Sequence, residues 1–330
     1  MKVVVGLSIR LSFHPQHKVE TPHLVINNPV KTSKNTSGLY LYKNTEKNKA
    51  QNNLNAQRSE KVREILQELD SLIGLDSVKR LIYELQAYIE IQRRREKENL
   101  LNDTLVLHAI FSGNPGTGKT TVARIMGNLF KEMGLLKKGH VIELERADLV
   151  GEYIGHTAIK TREQIKNALG GVLFIDEAYS LARGGEKDFG KEAIDTIVKA
   201  MEDYKDNLIL ILAGYKEEMT WFLETNPGLR SRFPLHIDFP DYSIAELLAI
   251  AEQMLHKREY QLSQEAKKEL ESVLIKKIFI RKEHNGNARL VRNLIEKAIR
   301  QQAVRLVNQL HVTRNDLMLI TWQDIHRVGD

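Results

Sequence analysis

The chain contains no cysteine. That absence excludes disulfides, zinc–thiolate centres and thiol catalysis. Long apolar runs are missing too. No segment reaches the ~18 consecutive apolar residues of a membrane-spanning helix, so no membrane insertion is expected. The opening stretch MKVVVGLSIRLSF is apolar, but Arg10 interrupts it and no small-residue cleavage site follows. It therefore does not read as a signal peptide. These absences together read as a cytoplasmic protein. Excess charge is confined to one end. Residues 1–60 carry nine Lys/Arg against three Asp/Glu, and the rest of the chain carries 40 of each sign. A neutral body weighs against a nucleic-acid-tracking protein, which needs a basic stripe.

What is present begins with GNPGTGKT at 113–120, which satisfies G-x-x-x-x-G-K-[ST] in full. Gly113, Asn114, Pro115, Gly116, Thr117 and Gly118 form a loop whose backbone N–H groups can face phosphate oxygens. Lys119 would reach the outer phosphates, Thr120 would hold Mg²⁺ by its hydroxyl, and Thr121 continues the site. The apolar run LVLHAIF (105–111) reads as a buried strand before the loop. KTTVARIMGNLFK (119–131) places Val122, Ile125, Met126 and Leu129 on one helical face after it. Strand, glycine loop and helix are the context this motif requires, and the helix N-terminus adds partial positive charge.

A second strand, VLFI (172–175), ends in Asp176 and Glu177. Carboxylates at the end of a buried parallel strand lie where α/β folds bind ligands. Asp176 suits a Mg²⁺ ligand, and Glu177 suits a general base that polarises water. The chain has no N-K-x-D motif for reading guanine. ATP, with Mg²⁺, is the expected ligand, and hydrolysis the expected reaction.

Three regions follow. Residues 1–58 are rich in Asn, Lys, Ser and Thr and read as a mobile basic tail, with His14, His17 and His23 solvated rather than metal-bound. Residues 59–239 open with a charged helical linker broken at Gly74. LVLHAIF, HVIELE, GVLFIDEA and LILILAGY then alternate with helices, which predicts an α/β domain with a parallel sheet. Residues 240–330 show helical patterns and no clear strand. SIAE (243–246) and TRND (313–316) read as capping boxes.

The order of these parts resembles the AAA+ ATPases: α/β core, then a smaller all-helical lid. The wording is similar to the stage V sporulation protein K and CbbX-type group, nearest the sporulation protein K branch. ERADLVGEYIGHTA (145–158), IDEAYSLARGGEKDFGKEAIDTIVKAMED (175–203), AGYKEEM (213–219), NPGLRSRFP (226–234) and GNARLVRNLIEKA (286–298) carry the likeness. The resemblance implies that Gly74 lies near the adenine. It makes Arg232 an arginine finger, with Arg230 as an alternative, and Arg289 the lid arginine that contacts phosphates. The polar residue usual among AAA+ proteins at the end of this strand is replaced after LILIL by Ala213-Gly214-Tyr215, so Tyr215 is only a candidate there.

Tyr153, Ile154 and Gly155 resemble an aromatic–hydrophobic–glycine pore loop that grips a polypeptide client, and RGGEKDFG (183–190) could line the same channel. A finger acting in trans implies a homo-oligomeric ring, with a hexamer as the family form. The leading expectation is an ATP-driven protein remodeller, in sporulation if the likeness extends that far. A nucleotide-timed switch or scaffold, and a DNA motor or loader, are the alternatives.

Overall fold

The computed structural model describes residues 57–102, 105–153, 155–184, 188–280, 286–307 and 309–329. The three tail histidines and Ile154 lie outside the described residues, as do 185–187 of the second loop. A helix α1 (57–70) leads to α2 (Asp76–Lys97). Gly74 has φ 63° and Leu75 φ 60°, so the chain turns through two left-handed residues between these helices.

Five parallel strands follow: β1 (Ala109–Gly113), β2 (Val141–Leu144), β3 (Val172–Ile175), β4 (Ile209–Gly214) and β5 (Leu235–Phe239). Their order across the sheet is β2-β3-β4-β1-β5. The continuous apolar stretches of β1, β3 and β4 reflect burial of both faces at the centre of a helix-covered parallel sheet. Ala109, Phe111, Val172, Phe174, Ile209 and Ile211 face one core with α1, α2 and α3 (Lys119–Glu132). Ile110, Leu173, Ile175, Leu210 and Leu212 face the other. That second core is closed by α5 (His156–Ala168), a 3₁₀ turn (Ala178–Ala182), α6 (Gly190–Asp203) and α7 (Lys216–Thr225). The short helices α4 (Arg146–Leu149) and α8 (Pro227–Arg230) complete this part.

The strand expected over 105–111 starts later, at Ala109. His108 is the reason. Its Nδ1 accepts from the Leu210 N–H at 3.0 Å, so a side chain takes the ladder donor just before regular pairing begins. At its far end β1 stays paired as far as Gly113, opposite Phe239.

The lid contains α9 (Ile244–His256), α10 (Gln264–Ile280), α11 (Asn287–Val307), α12 (Arg314–Met318) and α13 (Trp322–Gly329) around a third core. Both expected capping boxes form, Ser243 with Glu246 and Thr313 with Asp316. The expectation of no strand in the lid is overturned. β6 (Gln261–Leu262) pairs in parallel with β7 (Leu319–Ile320). Two-residue strands carry no readable period. Gln302 Nε2 fixes the turn that presents β7 by donating to the carbonyls of Asp316, Leu317 and Leu319.

Candidate active site

Neighbouring parallel strands end at one edge, so β1, β3 and β4 deliver the phosphate loop, Asp176-Glu177 and Gly214-Tyr215 to the same place. A cavity of about 260 Å³ lies there, lined by the loop glycines, Lys119, Thr120, Asp176, Glu177, Tyr215 and Arg289. Pro115, Thr121 and Arg292 also border it.

The loop is shaped by its glycines and locked by its side chains. Gly116 has φ 75°, and a Cβ there would lie 2.4 Å from the Gly286 carbonyl oxygen, so only glycine fits. Thr117 is fully buried and donates through Oγ1 to the Asn114 carbonyl at 2.8 Å. Lys119, at the N-terminus of α3, donates through Nζ to the carbonyls of Gly113 and Asn114 at 2.8 and 2.9 Å. Burial lowers the lysine's pKa, opposed by the nearby Asp176 carboxylate.

Glu177 stands in the left-handed region, φ 46° and ψ 43°, although it is not glycine. Such a conformation costs on the order of 1–3 kcal/mol and concentrates at functional sites. It turns the exposed Glu177 away from the strand line, while its N–H donates to Asp176 Oδ1 at 2.9 Å. Thr120 and Asp176 border the same cavity with oxygen donors only. That set fits Mg²⁺, which takes one or two protein oxygens and keeps water and phosphate for the rest. Burial, then the charges of Glu177, Glu218 and Asp176, raise the pKa of Tyr215. Its hydroxyl thus remains a neutral donor beside two carboxylates.

The other expected residues fall in distinct places. Gly74 does not border the cavity; it packs against the lid, where a Cβ would meet Glu246 Oε1 at 2.2 Å. Leu75 beside it reaches the Gly118 position. Arg232 and Arg230 also lie outside the cavity lining. Arg232 donates to the Gly228 carbonyl at 2.7 Å and to Glu202 Oε1 at 2.6 Å, and Arg230 is exposed at the end of α8.

Tyr153 is 65% exposed. Its ring meets His156 edge-on at 5.4 Å. Gly155 has φ 81°, with nothing within 4 Å of a Cβ built there. Behind this loop Thr157 Oγ1 accepts from the Gly151 N–H at 3.0 Å, and Thr161 donates to the Leu149 carbonyl at 3.1 Å. Arg146, at the start of the same segment, donates to the Ser180 carbonyl at 2.7 Å and to Asp188 Oδ1 at 2.5 Å. One guanidinium thereby joins the Tyr153 segment to the flank of the 183–190 loop.

Three residues at the site escape a reading of the sequence. Arg292 follows Arg289 by three positions, a spacing that puts both on one helical face and could have flagged it. Asp241 and Asn287 look like ordinary loop residues, and only long-range contacts reveal them.

Residues 109–241 match the profile of the ATPase family associated with various cellular activities (AAA), and residues 243–329 match the AAA lid domain. The chain is 57% identical over 265 residues to stage V sporulation protein K of Bacillus subtilis (strain 168), covering 80% of this chain and 82% of that protein. It is 49% identical over 248 residues to protein CbbX of Cereibacter sphaeroides, covering 74% and 79%. The chloroplastic ribulose bisphosphate carboxylase/oxygenase activase of Cyanidioschyzon merolae (strain NIES-3377 / 10D) is 47% identical over 270 residues, covering 80% and 91%. Among solved structures, the Thermotoga maritima RuvB Holliday junction branch migration motor is similar, with a TM-score of 0.51 at 19% identity. That match covers 78% of this chain and 68% of that one, and at such identity it speaks for the fold alone.

Proposed function

Since the chain belongs to the AAA+ ATPases, in the group of stage V sporulation protein K and CbbX, and hydrolyses ATP, we propose that it assembles into a ring and remodels a protein client. In this reading the loop from Gly113 to Thr121 cradles the phosphates, with Lys119 on the outer ones. Glu177 takes a proton from water as its oxygen attacks the γ-phosphorus and the bond to ADP breaks. Thr120 and Asp176 would hold Mg²⁺, which would neutralise phosphate charge. Arg289 and the hydroxyl of Tyr215 stabilise charge on the transferred group from the same subunit.

Arg232 completes the site of a neighbour. Its position outside its own cavity supports action in trans, and a head-to-tail contact of this kind closes into a ring. Glu202 must release it first, a small cost for a surface pair.

The observation that carries the remodelling reading is the exposed Tyr153 ring on an unpacked glycine loop. A large aromatic without a core to serve is suited to grip a passing chain. The Arg146 tie to Asp188 supports both loops moving together. The 57% identity to a protein named for stage V sporulation favours a client in spore formation over a carboxylase client.

ATP turnover measured with an unfolded polypeptide and with duplex DNA tests this reading. Stimulation by polypeptide alone is expected. Stimulation by DNA alone replaces it with the DNA motor, and indifference to both leaves a nucleotide-timed switch.

A further inference from the structure

A buried amide is among the groups that join lid and phosphate loop. Asn287, at the first position of α11, is 1% exposed. Its Nδ2 donates to Asp241 Oδ1 at 2.7 Å and to the Pro115 carbonyl at 3.3 Å. Its Oδ1 accepts from the Tyr242 N–H at 3.0 Å. Asp241 in turn accepts from Asn114 Nδ2 at 3.0 and 2.9 Å. The Ala288 N–H donates to the Gly116 carbonyl at 3.1 Å. Asn287 has φ 41°, a left-handed strain that the surrounding bonds hold in place. Three segments far apart in sequence meet here: the phosphate loop, the hinge after β5 and the first turn of α11.

The geometry points to Asp241 and Asn287 as positioning residues that link the Arg289 turn to the phosphate loop, so that a change at the loop is passed to the lid. This rests on the reading of that loop as the ATP site. The Asn114 carbonyl accepts from Lys119 Nζ, and its side chain is bound to Asp241. A phosphate that draws Lys119 away removes one of two donors from the Asn114 carbonyl and leaves Thr117 Oγ1 as the other. The change passes to Asp241, to Asn287, and to Arg289 two residues on. Asn287 is buried while Asp241 is exposed, so the cluster is anchored at the amide, where a lost partner leaves a buried polar group unsatisfied. A bistable element biased by ligand is what coupling between sites requires.

The test reads lid movement as well as turnover. Because the chain has no cysteine, Asn128→Cys on α3 and Lys276→Cys on α10 allow a specific dye pair. Labelled protein is diluted into unlabelled protein to suppress transfer between subunits. ATP with Mg²⁺ is expected to shift energy transfer in the parent. Asn287→Ala is expected to lose more than half of that shift and about tenfold in kcat, with nucleotide Kd changed less than about fivefold. Asn287→Asp alone opposes two carboxylates and should be equally impaired. Adding Asp241→Asn transposes amide and carboxylate and should recover most of both readouts. A parent-like shift in Asn287→Ala overturns the proposal. So does a transposed pair no better than Asn287→Asp alone, and that comparison decides if Asn287→Ala does not fold. A parent that binds no nucleotide overturns the ATP-site reading as well, so the two failures are told apart.

Discussion

Around the phosphate loop the polar groups are tied down by internal bonds or backbone strain. Thr117 is fully buried and bonded, Lys119 holds two carbonyls, and Glu177 is strained into a left-handed turn. At the loop carrying Tyr153 the situation is reversed. The ring is exposed, and Gly155 has open space where a side chain would lie. The first region is organised in advance, as chemistry on a small ligand demands. The second is anchored behind, through Thr157 and Thr161, and leaves the Tyr153 ring largely exposed beside His156. On the proposed function this contrast would separate turnover from grip, and substitutions in the two regions should fail differently.

The largest effects belong to the organised region. Lys119→Ala is expected to abolish nucleotide binding, seen as no heat on titration with ATP. Glu177→Gln keeps the charge cradle and should bind ATP while turnover falls about ten-thousandfold. Rapid hydrolysis by Glu177→Gln would remove this residue as the base and erase the contrast on the chemical side.

Next in size is Arg232→Ala, expected to assemble and to hydrolyse on the order of a thousandfold more slowly. Mixing it with Glu177→Gln should restore part of the activity, because some interfaces then carry both intact groups. A mixture that co-assembles by size yet stays as slow as its parts would refute action in trans.

The two regions also differed in how far the sequence announced them. The phosphate loop and Asp176-Glu177 were legible because each motif sits on strongly patterned elements. Val122, Ile125, Met126 and Leu129 all face the core as their spacing predicts. The strain at Glu177 was not legible, since backbone angle follows from the turn into the 3₁₀ segment and not from residue type. Asp241 and Asn287 were hidden for another reason: their partners lie 46 and 127 positions away. β6 and β7 were too short to show alternation. Tyr153 was conspicuous as an aromatic between glycines, but its exposure was not legible in the sequence.

Tyr153→Ala sharpens the comparison from the open side. Basal ATPase should stay within about twofold of the parent, because the ring touches no residue of the phosphate loop and its removal buries or exposes little core. Stimulation by a polypeptide client should vanish. A variant with both a lower melting temperature and a slower basal rate would show that the ring packs the loop down, which would favour the nucleotide-switch reading.

The smallest effect tests whether the organised region extends to the far end of β1. His108 is 4% exposed, and burial pushes its pKa down to about 4. Its ring accepts from Leu210 and meets Phe233, the neighbour of Arg232, at 5.9 Å. The folded protein therefore keeps this imidazole neutral at pH values where the unfolded chain, near the ordinary value of ~6.5, takes up a proton. The stability from this neutral histidine is fully present above about pH 6.5 and is lost as pH falls toward 4. At pH 5 the loss is about 2 kcal/mol, from roughly 1.5 pKa units at 1.36 kcal/mol each. His108→Asn keeps an acceptor for Leu210 but cannot titrate. It should be less stable than the parent at pH 8, for want of the packed ring, and lose less stability between pH 8 and pH 5. Urea midpoints of both proteins at the two pH values measure the difference. Parallel losses would mean that His108 titrates normally, and that the tightly organised part of β1 begins only at its phosphate end.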